Sequence, residues 1–462
     1  MFSARVLCLG LMKFLSTFVY TAVFVNKDTL IVTTPGLGPA AIPVLKGAVM
    51  LAVAFIISGY YGKLTAKYAL HQTMKGFLIF FACFFLVYGW LLFPYQDSLQ
   101  LDFVKRYFAP LLGEERSYLY GVVVHWYHTL FFIVAELWGQ FMIVTLFWGV
   151  ANSISGLEDA KKHYAFYTAA GNFATFISGL MVGYVTRSIG DFQQETQVLM
   201  GISILLSLAM YVCLLRLDRE METVAASQKP SKKNVGGFFE AFGIVMRSKH
   251  LLAVFFVVAG FSFTMNMVEL FWKDALRTLY PDPSMYRAVL GDVIGQIGLM
   301  SFLMALFVSV PMLRFFSWRT NALTPPILIG AVAMTFMLAY LGYYSDMQSW
   351  TTWQPTMMLL VSLGSIHNIS AKVLKYTIFD PTKEMALIPI PYDEKVRGKA
   401  AVDVLSSRMA KSGSSWVQLI ALEISGHVLS GAGFLIAPIL AVTFFAWIYG
   451  VVVLDRRIRE AV

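Results

Sequence analysis

The strongest constraint on this chain is the repeated return of apolar blocks about as long as a bilayer is thick. A helix needs about 20 apolar residues to cover the hydrocarbon core. Twelve blocks meet or approach that length. In the first half they fall near 4–26, 40–62, 76–95, 119–150, 164–187 and 197–217. In the second half they fall near 250–272, 289–311, 322–344, 354–376, 400–427 and 430–453. The fourth and eleventh are the least clean, being longer and carrying polar residues. Helices satisfy their own amides inside lipid, where unpaired backbone is prohibitively costly. The expected fold is therefore an all-α polytopic membrane protein with twelve transmembrane helices. Composition agrees: only 14% of residues are charged, against roughly a quarter in a soluble domain. Disorder is excluded, because it needs low hydrophobicity. Cys8, Cys83 and Cys213 all lie in apolar runs and make no disulfide framework. No cleavable leader is expected, since Ser3, Ala4 and Arg5 run straight into the first apolar block.

Charge placement orders the blocks. The longest polar stretch in mid-chain is 218–249, with Asp218, Arg219, Glu220, Lys229, Lys232 and Lys233. It separates a first six-helix bundle, 1–217, from a second, 250–462. Lys67, Lys75, Arg314, Arg319 and the tail residues Arg456, Arg457 and Arg459 fall on the linker's side of the membrane. Asp97, Asp102, Glu114, Glu115, Asp191 and Glu195 fall on the other. The positive-inside bias then puts both termini and the linker in the cytoplasm of a bacterial inner membrane. Two six-helix halves with a cytoplasmic linker form the major-facilitator layout, with the substrate near the midplane between the halves. Residues 96–116 are too polar to span and read as an external amphipathic piece. The net charge of +9 is scattered between apolar blocks, which argues against nucleic acid as a partner.

Ionisable groups inside spans cost about 2.5–3.5 kcal/mol each on insertion scales, so each asks for a reason. The basic set is Lys13, Lys27, Lys46, Lys273, Lys372, Lys375, Arg408 and Lys411; the acidic set is Glu136, Glu269, Asp403 and Glu423. Snorkelling to the interface accounts for Lys13 and Lys273 at span ends. It cannot help Glu136, a short carboxylate in mid-span, which must be protonated, paired or facing water. The basic excess favours an anionic solute. His125 and His128 are three apart but lack a third ligand, so no metal site is expected. The chain has no G-x-x-x-x-G-K-[ST], G-x-S-x-G, C-x-x-C or H-E-x-x-H. Neither ATP-driven pumping nor hydrolytic chemistry has residues to stand on. No enzyme activity and no cofactor is expected.

Several stretches are more specific. Lys27-Asp28-Thr29-Leu30-Ile31-Val32-Thr33 ends the first block. Phe379–Pro389 reads FDPTKEMALIP, followed by Arg397-Gly398-Lys399-Ala400-Ala401-Val402-Asp403-Val404 and Lys411-Ser412-Gly413. Ala135-Glu136-Leu137-Trp138-Gly139 and Phe147-Trp148-Gly149 lie in the fourth block. Together these resemble the nucleotide transporter (ATP/ADP translocase) family of obligate intracellular bacteria and plastids, across nearly the whole chain. The resemblance implies a twelve-helix major-facilitator protein that moves nucleotides, by ATP/ADP exchange or by proton-coupled uptake. It carries over Lys27, Glu136, Glu269, Lys375 and Lys411 as functional charges. Gly36-Leu37-Gly38-Pro39-Ala40-Ala41-Ile42-Pro43 lacks the acidic residue seen in familiar members, and Val268-Glu269-Leu270-Phe271-Trp272-Lys273 is altered from their pattern. These departures suit an importer of several nucleotides driven by proton symport, with strict ATP/ADP antiport, or transport of other organic phosphates, as the alternatives.

A nucleoside triphosphate carries about four negative charges, which only several fixed cations can take from water. Lys27, Lys46, Lys375 and Lys411 are the expected phosphate cradle. Tyr164, Tyr167, Asn172 and Asn368 are the expected contacts to base and ribose. Glu136, Glu269, Asp380, Lys383 and Asp403 are the expected coupling or gating residues. Nucleotides, protons and the lipid bilayer are the expected partners of a monomer.

Overall fold

The computed structural model describes residues 4–155, 157–227, 243, 245–344, 355–389 and 392–461. Among them there are helices and turns but no strand. Eleven helices are long and apolar enough to cross a membrane. In chain order they are α1 (Ala4–Thr33), α2 (Ala41–Thr65), α3 (Leu70–Leu92), α5 (Trp126–Ile154), α6 (Lys162–Ile189) and α7 (Phe192–Asp218), then α8 (Lys249–Leu279), α9 (Pro283–Phe307), α10 (Trp318–Tyr344), α11 (Met357–Ala386) and α13 (Leu429–Glu460). The short α4 (Asp102–Leu112) and the 33-residue α12 (Tyr392–Ile424) complete the set used below. The expected span 400–427 lies in α12. Its sequence carries Asp393, Glu394, Lys395, Arg397, Lys399, Asp403, Arg408 and Lys411, so composition alone does not mark it as a span.

The expected amphipathic piece at 96–116 is a short helix with its flanking turns. Val104 of α4 is buried against Tyr120 and Val124, while Phe103, Tyr107 and Leu111 stay exposed. Trp126 Nε1 donates to the Leu99 carbonyl at 3.0 Å, tying the segment to the start of α5.

The chain divides into two compact units that do not follow chain order. One contains Met1–Ala41, Met50–Lys232 and Tyr280–Phe302. In it α1 is central and packs on α5, α6 and α7. Val19, Val23 and Ile31 of α1 are buried in this packing, which inside a bilayer gains from close van der Waals contact and interhelical hydrogen bonds rather than from escape from water. Two buried polar groups there bond across helices: Trp138 Nε1 donates to the Ser16 carbonyl at 2.9 Å, and Ser178 Oγ to the Phe18 carbonyl at 2.9 Å. The other unit contains Ile42–Val49, Lys233–Leu279 and Leu303–Val462. In it α8 is central, packed by α11, α12 and α13. Trp272 Nε1 donates to Ser365 Oγ at 3.2 Å, and the Trp272 ring fills the space that a side chain on Gly364 would need.

Among the described residues, four helices contain widened, π-type turns, at Leu45–Val49, Tyr88–Leu92, Gly139–Leu146 and Lys375–Phe379. Such turns shift the backbone hydrogen bond one residue further along the chain, as in Phe93 N to the Tyr88 carbonyl at 2.8 Å, and are frequent at functional sites. Lys46 and Lys375 sit inside two of them, and a third begins three residues after Glu136.

Candidate functional site: two lysine–carboxylate clusters

In the first unit, Lys27 lies near the C-terminal end of α1. Its Nζ is 2.8 Å from Asp28 Oδ1 and 2.9 Å from Glu136 Oε1 of α5. The Phe24 and Phe132 rings flank the same amine, each centroid 4.3 Å away. Lys27 and Asp28 are buried, whereas the Glu136 side chain keeps 28% of its exposure. One ammonium thus lies within ion-pair distance of two carboxylates. The mid-span carboxylate that snorkelling could not rescue is rescued by pairing.

The second unit has the opposite balance. Lys46 Nζ is 2.9 Å from Glu269 Oε2 and 3.0 Å from Asn266 Oδ1. Glu269 Oε1 is 2.9 Å from Lys273 Nζ, one turn along α8. Lys372 of α11 acts electrostatically on the same carboxylate. Lys273, expected to anchor at an interface, is instead buried in this cluster. Lys46 and Lys273 thus converge on one carboxylate from two helices.

Lys411-Ser412-Gly413 packs on this cluster through its backbone and hydroxyls. Asn266 Nδ2 donates to Ser414 Oγ at 2.7 Å and to the Lys411 carbonyl at 3.3 Å. Gln418 Nε2 donates to the Asn266 carbonyl at 2.8 Å, and Ser412 Oγ to the Gly47 carbonyl at 3.2 Å. These bonds hold α12 against α8 and against the turn that carries Lys46. The Lys411 side chain itself is exposed.

Other expected residues lie apart from these clusters. Lys375 pairs with Asp380 at 2.8 Å, within its own helix, and Lys383 is 3.5 Å from Glu384. The Asp403 side chain lies outside the described residues. Tyr164 and Tyr167 belong to an aromatic group with Phe147 and Trp148, with Tyr164 5.0 Å from Trp148. Lys13, read from sequence as snorkelling, is only 7% exposed, with its amine 5.0 Å from the Phe147 ring and 5.5 Å from Trp148. Asn172 is half-buried on α6. Asn368 is buried on α11 and donates to the Gly364 carbonyl at 2.9 Å, while its Oδ1 finds no partner among the described residues. Its neighbour His367 is fully buried, and both its ring nitrogens are unpartnered among those residues.

Sequence reasoning missed the role of Asn266. Its signal was present: an amide one turn before Glu269 on the same helix face. It also missed Lys273 as part of the cluster, because Trp272 beside it suggested an interface belt.

Comparison with known proteins agrees with this chemistry. Residues 3–458 match the family model described as TLC ATP/ADP transporter. "ADP,ATP carrier protein 1" of Chlamydia muridarum is 32% identical over 470 residues, covering 96% of this chain and 85% of that protein. The chloroplastic "ADP,ATP carrier protein 1" of Arabidopsis thaliana is 30% identical, covering 96% and 72%. "ADP,ATP carrier protein 4" of Rickettsia felis is 24% identical, covering 99% and 93%. Among solved structures, a mutant of the nucleoside transporter NupG superposes with a TM-score of 0.64 at 12% identity, covering 97% of this chain and all of that one. The D-xylose-proton symporter gives 0.55 at 12% identity, covering 94% and 96%. Those two likenesses speak for the fold alone, which is major-facilitator-like. The protein is a multi-pass membrane transporter and not an enzyme, and the chain belongs to the TLC ATP/ADP transporter family.

Proposed function

We propose that this protein is a secondary active transporter that brings nucleoside di- and triphosphates across the bacterial inner membrane by alternating access, with protons as the coupling ion. The observation that carries the reading is the convergence of ammonium groups on Glu269. Lys46 and Lys273 share one carboxylate. A substrate phosphate arriving there meets charge-assisted donors already held in place. Lys411 extends this cradle, and Lys375 joins it on exchanging Asp380 for phosphate. Tyr164 and Tyr167 supply a stacking face for the base, with Asn172 and Asn368 as amide partners. In the first unit, Glu136 is the proton carrier. Its protonation weakens the ion pair with Lys27, so loading a proton changes which contacts α5 makes with α1. Asp380, Lys383 and Asp403 serve as gating charges. The halves 1–217 and 250–462, joined by 218–249, rock about the substrate, both termini lie in the cytoplasm, and the monomer is the working form.

A second reading is ATP/ADP exchange without protons. The printed names of the Chlamydia, Rickettsia and Arabidopsis relatives favour it. Counterflow in proteoliposomes with each of the four ribonucleotides, with and without a pH gradient, separates the two. Stimulation by an inwardly directed proton gradient supports symport. Strict dependence on internal ADP or ATP, indifferent to the gradient, replaces it with exchange. No nucleotide counterflow at all overturns both.

A further inference from the structure

A further ion pair, Arg287 with Glu195, is used by neither reading. It sits in the first unit, where α9 meets α1, α6 and α7. Its setting is built from short connections. Gly190, at φ +69°, ends α6, and the Asp191 carboxylate accepts the Gln194 amide at 3.0 Å to start α7. Asp282 accepts the Met285 amide at 2.8 Å to start α9, with Pro283 in the first turn. Capping of this kind is worth about 1 kcal/mol and fixes where each first turn points. Both first turns then deliver polar side chains to one point. Arg287 Nη1 donates to Glu195 Oε2 at 3.0 Å. Arg287 Nη2 donates to Asn26 Oδ1 and Thr196 Oγ1, each at 2.8 Å. Ser284 Oγ donates to the other Glu195 oxygen at 2.8 Å. The Phe192 ring lies 4.0 Å from the guanidinium. Arg287 and Glu195 are both 0% exposed.

Such a pair is expensive to desolvate. Apolar residues of similar volume often stabilise a fold as well or better. Two atoms of the network, Arg287 Nε and Asn26 Nδ2, are buried without a partner among the described residues. Permanent stability is therefore a poor account of it. The surface beside it is equally unusual. Along α9, Gly291, Gly295 and Gly298 follow Arg287 at helical spacing and face α6. A Cβ on Gly298 would stand 2.4 Å from the Phe176 amide nitrogen, and one on Gly179 would stand 2.5 Å from Gly295 Cα. Val182 lies against Gly291. The exposed pair Arg187–Asp292 bridges α6 and α9 beside the same contact. Backbone meets backbone here with few interlocking side chains, so the helices can part without rotamers having to disengage.

A cavity of about 520 Å³ adjoins the network, lined among others by Phe192, Pro283, Asp97, Lys105 and His125. Phe192 packs on Arg287 and Pro283 precedes Ser284, so two of the cavity's lining residues border the buried network.

We propose that Arg287, Glu195 and Asn26 form a latch, and that the glycine seam of α9 on α6 is the surface it closes. In every transport cycle the latch releases, α9 parts from α6, and water enters from the cavity. Arg287 and Glu195 are thus positioning residues for the conformational step. The inference rests on the alternating-access reading but not on which nucleotide is carried.

The test is a reporter cysteine, Val182→Cys, in a chain whose Cys8, Cys83 and Cys213 are replaced by serine. In liposomes its labelling by a charged maleimide is slow while the seam is closed. Glu195→Gln keeps the shape of the latch and removes its charge, and Gly298→Ala wedges the seam without touching the latch. Each is expected to raise the labelling rate of Val182→Cys several-fold while the thermal transition remains cooperative. In the chain with an unaltered latch, saturating ATP and ADP on both sides is expected to raise it as well, which keeps the test valid if either variant fails to fold. Labelling that is unchanged by turnover, and by both variants where they fold, overturns the latch and leaves a static staple. Absence of nucleotide transport alongside accelerated labelling in the variants counts against the substrate reading and not against the latch.

Discussion

Replacing Glu269 by glutamine should make the protein bind nucleotide more tightly and move it more slowly. Glu269 now occupies Lys46 and Lys273 at 2.9 Å each. A phosphate that takes over these amines must displace the carboxylate, or stand beside it. Two unit charges about 5 Å apart interact by about 3 kcal/mol at an effective dielectric of about 20. The side chains of Lys46 and Glu269 keep 17% and 14% of their exposure, so water screens part of that, and about half is a sensible expectation. About 1.4 kcal/mol is a tenfold change in Kd. Isothermal titration calorimetry of ADP in detergent should therefore show Glu269→Gln binding about tenfold tighter, and Lys46→Met binding weaker. Proteoliposome counterflow should show slower turnover for Glu269→Gln, because the carboxylate no longer competes the phosphate off. If Glu269→Gln weakens binding as much as Lys46→Met does, the lysines are not a phosphate site held by a removable counter-ion.

Other outcomes follow from the geometry. Lys27→Met takes away the ammonium 2.8 Å from the buried Asp28 carboxylate, and breaking a buried pair costs about 3–5 kcal/mol; the thermal midpoint should drop, and adding Asp28→Asn should recover part of the loss. Glu136→Gln should abolish stimulation by a pH gradient while leaving counterflow measurable, and an unchanged gradient response would remove Glu136 from proton coupling. Gly364→Ala puts a Cβ 2.2 Å from Trp272 Cδ1; overpacking of this kind costs about 1–3 kcal/mol, visible as a lower midpoint in a fluorescence melt, and a neutral result would mean that α11 shifts freely on α8.

Helix placement was legible because a bilayer-length block leaves the chain little choice. The spans near 4–26, 76–95 and 250–272 reappear as longer helices that run past the apolar core at one end or both. The amphipathic helix at 102–112 was legible for a similar reason, its apolar residues recurring on one face. Glu136, the charge that could not snorkel, was read as protonated, paired or facing water, and Lys27 stands 2.9 Å from it. Its partner was not legible, because pairing depends on how α5 packs against α1, and nothing local encodes that. The same holds for Lys273 and Asn266, which matter through Lys46 on another helix. The wide turns at Lys46 and Lys375 left no pattern to read, since one extra residue per turn hardly changes hydropathy. The Arg287–Glu195 pair was half visible: Glu195 read as an external acidic residue, and Arg287 went unremarked because it lies outside the block expected at 289–311.

The hydroxyl ladder on α12 bears on how this protein is made. Ser412, Ser414, Ser415 and Gln418 hold Asn266 and the Gly47 carbonyl by hydrogen bonds. A segment attached in this way draws little from greasy surface, so a translocon has small incentive to release it sideways into lipid on its own. Its docking partners, both translated earlier, must already be waiting in the bilayer. Biogenesis of the last third of the chain is then a templated event, in which α8 receives a helix that hydrophobicity alone would leave behind.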